Sequence, residues 1–109
     1  MGYVYLVGDS EKDGIYKIGV TRGSVDKRIK KLQTGNCGEI FLVKKFETDY
    51  PFVMEKMLHT RFFGSNVLNE WFSLTFDEVK EFITICENIQ ENIDALKDNY
   101  FFQKKYGKK

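Results

Sequence analysis

The run Tyr3-Val4-Tyr5 stands eleven residues ahead of Lys17-Ile18-Gly19, with Leu6 to Tyr16 between them. Both flanks are β-branched and aromatic, while the stretch between them holds Gly8, Asp9, Ser10, Asp13 and Gly14. This pattern predicts a hairpin of Tyr3 to Val7 and Ile15 to Val20, turning through Gly8 to Gly14.

The elements that follow carry their own signals. Ser24 is an N-cap with Asp26 in the first turn, predicting a helix to about Gln33 with Gly35 as its stop. Ile40 to Phe46 reads as a third strand, and Pro51 suits the first turn of a helix running to about Phe63. Glu70 to Leu74 is a short extended piece. Thr75-Phe76-Asp77-Glu78 is then a capping box opening the longest helix. In that helix Val79, Phe82, Ile83, Cys86, Ile89, Ile93 and Leu96 recur at three- and four-residue steps, a stripe that docks on the rest of the domain. The expected fold is a small α/β domain over residues 1–98: a three-stranded, mainly antiparallel sheet flanked by helices, closed on one side by the long C-terminal helix. Residues 99–109 are expected to be a disordered basic tail, since Gln103 to Lys109 carries four lysines and no acid.

At 109 residues the chain is one domain. It has no run of about 18 apolar residues, so no membrane span is expected, and its N-terminus lacks the pattern of a signal peptide. Cys37 and Cys86 lie outside any metal-ligand or redox spacing, and two lone thiols fit a reducing cytoplasm. The net charge of +1 hides an uneven distribution. Residues 17–31 hold six basic side chains (Lys17, Arg22, Lys27, Arg28, Lys30 and Lys31) against Asp26, whereas residues 70–98 hold eight acids against Lys80 and Lys97. A basic patch of this kind attracts a polyanion, though an ordinary solvated helix face has the same composition.

Three charged residues stand out by position. On a helical wheel Val25, Ile29 and Leu32 define the buried stripe of the first helix, and Arg28 lies roughly 65° from its centre while Lys27, Lys30 and Lys31 point away. An arginine at the edge of a core needs a partner, and its fork suits a phosphate oxygen or a nearby acid. Glu55 and His59 are four apart and share a helix face; on spacing alone that is a surface contact worth roughly 0.2–0.5 kcal/mol.

In this order and spacing, Tyr3-Val4-Tyr5, Lys17-Ile18-Gly19, Arg28, Glu55, His59 and Glu70-Trp71-Phe72 resemble the GIY-YIG nuclease superfamily. The likeness is greatest to its stand-alone phage, viral and bacterial branch, where the second motif reads K-I-G and the later part reads E-x-x-x-H, then E-W-F. It runs from about Gly2 to about Leu74. The literal string Gly14-Ile15-Tyr16 is a decoy: it abuts Lys17-Ile18-Gly19, whereas the two family motifs belong to adjacent antiparallel strands, so it is read as the body of the second strand.

The resemblance implies a Mg²⁺- or Mn²⁺-dependent endonuclease, with one ion, that hydrolyses DNA phosphodiesters by in-line attack of water. Glu55 would be the sole protein ligand of that ion, which retains waters and takes substrate oxygens. Arg28 would stabilise charge on the phosphate. Tyr5 would accept the proton of the attacking water, its charged form favoured by the ion, Arg28 and Lys17, with Tyr3 in reserve. Lys17 stands where better-known members carry tyrosine, which leaves open whether Tyr5 or Lys17 carries the proton-transfer role; at that place a lysine would hold the nucleophile or stabilise charge. His59 would be a supporting group or a proton shuttle. Gly19, Thr21, Lys27 and Lys31 would contact DNA, and the asparagine that braces the site in the family would fall on Asn69, with Glu70 beside it as a further site member. Trp71 and Phe72 read as core lids. DNA is the expected partner, with no membrane and no small-molecule cofactor. With no appended recognition domain, low sequence preference is expected, or specificity from a homodimer or a separate partner. The rivals are a non-cutting nucleic-acid-binding module and a nuclease specific for branched DNA.

Overall fold

The computed structural model describes residues 1–106. Its centre is a five-stranded antiparallel sheet rather than the three strands expected, in the order β3-β1-β2-β5-β4. The strands are β1 (Gly2–Asp9), β2 (Lys12–Thr21), β3 (Ile40–Thr48), β4 (Asn66–Leu68) and β5 (Trp71–Ser73). The first hairpin is tighter than predicted. Its strands run on through Asp9 and from Lys12, leaving Ser10 and Glu11 at the turn, with a register shift at Gly8/Asp9. Gly14-Ile15-Tyr16 lies inside β2, as expected of the decoy.

Alternation along β1 sends its side chains to opposite faces. Val4 and Leu6 join Ile18 of β2 in a core covered by α2 (Pro51–Arg61) and α4 (Phe82–Leu96), through Met54, Leu58, Phe82, Cys86 and Ile93. Each such fully buried aliphatic contributes about 1.5–3 kcal/mol. Tyr5 and Val7 face the other way and meet Val25, Ile29 and Leu32 of α1 (Val25–Gln33). The caps of α1 and α2 follow the sequence: the Ser24 hydroxyl accepts the Lys27 N–H, and Pro51 sits in the first turn of α2.

The expected long C-terminal helix is interrupted. The capping box at Thr75 forms with both of its reciprocal bonds, but it opens a short α3 (Phe76–Lys80). The chain bends at Glu81 (φ −90°, ψ 0°) before α4 begins. Much of the expected disordered tail is instead helical, as α5 (Tyr100–Tyr106). Phe102 explains this, because its ring is buried edge-on against Tyr50 with centroids 5.7 Å apart. Residues 107–109 of that predicted tail lie outside the described residues.

The loop from α1 to β3 is tied down by Asp9, a buried acid at the end of β1. Its carboxylate accepts the Glu11 N–H and the Asn36 side-chain amide, with Lys12 at 3.8 Å. The backbone bond from Glu11, then the Asn36 amide, hold the Asp9 carboxyl below its ordinary range.

Candidate active site

β5 pairs with β2 only from Ile15 to Lys17. Beyond Lys17 that edge of β2 has no strand partner among the described residues, and side chains meet it instead. Ile18 uses both of its backbone groups there. Its N–H donates to the Glu70 carbonyl at 3.1 Å, and its own carbonyl accepts from His59 Nε2 at 3.0 Å. A carbonyl can only accept, so Nε2 carries the hydrogen and the neutral imidazole keeps the lone pair of Nδ1. Phe72 backs the ring at 5.1 Å.

Glu55 sits one turn before His59 on the same face of α2. Glu55, His59 and Glu70 are all half-buried, and each brings one donor atom within 4.8 Å of the others. Burial first, and then the neighbouring Glu70 carboxylate, raise the Glu55 carboxyl above its ordinary range. Two carboxylates and an imidazole make a donor set that could hold one divalent cation, the carboxylates suiting a hard ion and the imidazole a borderline one. Lys17 adds to this arrangement. Its largely buried side chain reaches Glu70 Oε1 at 3.7 Å, while Trp71, its partner across the ladder, lies beneath Nζ.

On the α1 side, Arg28 Nε donates to the Tyr5 hydroxyl at 3.3 Å. Tyr5 is fully buried, and its ring lies across Gly19, the residue opposite it in the ladder. A Cβ at position 19 would come within 2.4 Å of Tyr5 Cζ, so only glycine fits under the ring. Burial pushes the Tyr5 hydroxyl above the ordinary phenol range, and this outweighs the downward pull of Arg28. The expected preference for a charged phenolate therefore meets an opposing effect in the burial of the ring. Of the two side chains expected to favour it, Arg28 touches Tyr5 and Lys17 turns to Glu70.

A cavity of about 490 Å³ brings Glu55 and Glu70 together with Arg28, Arg22, Thr21 and Phe52. The model of the T5orf172 domain family matches residues 2–87, most of the chain. The chain belongs to the T5orf172 domain family. This is a phage-associated domain found in nuclease-like proteins. No curated protein and no solved structure gives a significant match. The T5orf172 match spans β1 to the first part of α4 and so contains every residue of the cavity, while α5 lies beyond it.

Within the T5orf172 domain the remaining expected site residues fall into two groups. Thr21, Lys27 and Lys31 line a second hollow with Gly23 and Ser24, and Thr21 and Arg28 belong to both hollows. The basic face expected from the sequence is therefore continuous with the acidic pair. Asn69 is not among the cavity-lining residues. It takes the turn between β4 and β5 at φ 51°, where the Asn66 side chain donates to its carbonyl. Trp71 lies beneath Lys12 and Lys17, and Phe72 is in the core. Phe52 and the backbone of Ile18 were not expected at the site, Arg22 was expected only as part of the basic patch, and Glu70 was expected there beside Asn69 but without an assigned role. The opposite charges of Lys17 and Glu70 are the one sequence signal that would have joined them.

Proposed function

We propose that this T5orf172 domain is a divalent-metal-dependent endonuclease of the GIY-YIG type that hydrolyses DNA phosphodiester bonds. The observation that carries the reading is the convergence of Glu55, His59 and Glu70 in the neighbourhood of an arginine whose Nε is already engaged. Glu55 and Glu70, with Nδ1 of His59, would hold one Mg²⁺ or Mn²⁺ ion. When bound, the ion would polarise the phosphate, neutralise the leaving oxygen and favour the charged form of nearby acids.

The chain's own groups divide the rest of the work. Lys17 neutralises and aligns Glu70, and Ile18 fixes the tautomer and direction of His59. Arg28 spends Nε on Tyr5 and keeps its terminal nitrogens for a phosphate oxygen, the fork geometry that suits developing charge. Tyr5 first gives its own proton to solvent, a step that burial opposes and that Arg28 and a bound ion would favour. Water then attacks phosphorus in line, its proton passes to the Tyr5 phenolate oxygen, and the phosphorus–oxygen bond opposite breaks with its electron pair on the leaving oxygen.

The test is cleavage of supercoiled, linear, single-stranded and branched DNA with and without Mg²⁺ or Mn²⁺, using Glu55→Gln as the control. Ion-dependent cutting by the wild type alone is expected. Equal cutting by the variant, or no cutting of any DNA, removes the reading. The expected non-cutting binding module is the second of these outcomes.

A further inference from the structure

Phe52 is half exposed, yet it stands in the first turn of α2, three residues before Glu55 and on the same helix face. Other exposed aromatics, such as Phe63 and Phe76, do not line the cavity that holds Glu55, Glu70 and Arg28; Phe52 does. It also has a cationic partner, since the Arg22 guanidinium lies over its ring, 5.0 Å from the centroid. The pair is held firmly from behind. A Cβ at Gly2 would meet the Thr21 carbonyl at 2.8 Å, Pro51 Cγ at 3.0 Å and Arg22 Cα at 3.3 Å, so the start of β1, the end of β2 and the start of α2 are packed together without space.

We propose that the Phe52–Arg22 pair stacks an unpaired nucleobase beside the scissile phosphate, which makes DNA with an unpaired nucleotide at the cut the preferred substrate. A half-exposed aromatic face and a guanidinium plane are the two surfaces on which bases of single strands stack, and neither reads sequence. In continuous duplex the bases are stacked on one another and only the backbone reaches the cavity, so the pair gains nothing from it. The cavity, about 490 Å³, has room for one extruded base beside Phe52. This inference rests on the nuclease reading for the place of the phosphate.

The test uses the full chain in a Ca²⁺ buffer that does not support cutting. It compares binding of a short single strand with that of an abasic strand of the same length, and records the fluorescence of a 2-aminopurine in the former. The wild type should bind the base-bearing strand about 5- to 150-fold tighter and quench the probe, as expected for one stacked base. Phe52→Ala should collapse the ratio toward one and restore fluorescence, and Phe52→Trp should keep both signals. If Phe52→Ala loses its cooperative melt, Arg22→Gln at an exposed position carries the same comparison, with a smaller ratio and weaker quenching expected. A wild-type ratio near one, a ratio unchanged in Phe52→Ala, or duplex binding as tight as the base-bearing strand overturns the proposal. Parallel cleavage with Mg²⁺ separates the two readings. Cutting with a ratio of one removes the stacking pair alone, whereas a persistent ratio and quench without cutting removes the nuclease and leaves the pair as a binding element.

Discussion

Arg28 Nε and the Tyr5 hydroxyl meet at 3.3 Å, so the first helix and the central strand fix the direction of one guanidinium between them. Arg28→Ala is expected to lower the cleavage rate by roughly 10²–10³-fold, the scale of one lost transition-state donor. Arg28→Lys should restore little, because an ammonium can neither hold Tyr5 through Nε nor present a fork. Single-turnover rates check this, and full rescue by lysine would reduce Arg28 to a steering charge.

Glu70 brings a second carboxylate near Glu55, with Lys17 at 3.7 Å from it, so the proposed ion site would have two carboxylates rather than the one expected. Calorimetric titration with Mn²⁺ should give weaker binding for both Glu55→Gln and Glu70→Gln. Lys17→Ala loses the group that aligns Glu70 but also a positive charge that competes with the ion for its carboxylate, so its effect should be smaller than that of either carboxylate variant. If Glu70→Gln binds Mn²⁺ as the wild type does, Glu55 stands alone as carboxylate ligand.

Gly19→Ala places a methyl group 2.4 Å from Tyr5 Cζ. The overpacking should cost about 1–3 kcal/mol and lower the melting temperature by several degrees. Tyr5→Phe should relieve it only in part, because it removes the hydroxyl at 2.4 Å but keeps the ring carbons Cζ at 2.4 Å and Cε1 at 2.7 Å, whereas the smaller Tyr5→Leu should relieve it more fully. Equal melting of Gly19→Ala and the wild type would mean that the ring is free to move.

Most of what was legible in the sequence was local. Ser24 and Thr75 set helix starts through side-chain bonds to their first turns and Pro51 through its fixed φ, while β-branched and aromatic runs around a Gly/Asp/Ser turn set the hairpin. β4 was not legible, because Asn66, Val67 and Leu68 are all exposed and show no alternation. The break at Glu81 has no glycine or proline to announce it, and the apolar steps run straight through it. The lysines of the tail masked the docking of Phe102 on Tyr50. At the site, motif order brought Arg28, Glu55 and His59 forward. The meeting of Glu70 with Glu55 depends on how the β4–β5 hairpin lies along β2, which no local pattern encodes.

The two cysteines should differ in reactivity. Cys37 is exposed, while burial pushes the Cys86 thiol up to about 12. An alkylating reagent near pH 8 should label one thiol in the native protein and two after denaturation, since thiolate is the reactive form. Rapid labelling of both in native protein would contradict the packing of α4.

Asp9 makes stability depend on acid. Its native carboxyl is held below the ordinary value of about 3.9, so its contribution is complete above that value and is lost as pH falls through the lower native one. Thermal melts should show Asp9→Asn less stable than the wild type near neutrality, with the gap closing below about pH 4. A gap that persists undiminished into strong acid would show that the carboxylate charge is not what holds the loop.

Ile18 grips Glu70 and His59 through its peptide groups, while its side chain is an ordinary buried aliphatic. Systematic replacement of every side chain would therefore score position 18 as tolerant of valine or leucine and file it with the core. Only changes to the main chain itself would expose its part: an amide-to-ester replacement between Lys17 and Ile18 removes the N–H that holds Glu70, and one between Ile18 and Gly19 weakens the carbonyl that holds His59. The chemistry of this domain is thus partly written in atoms that every amino acid shares, beyond the reach of any comparison of side chains.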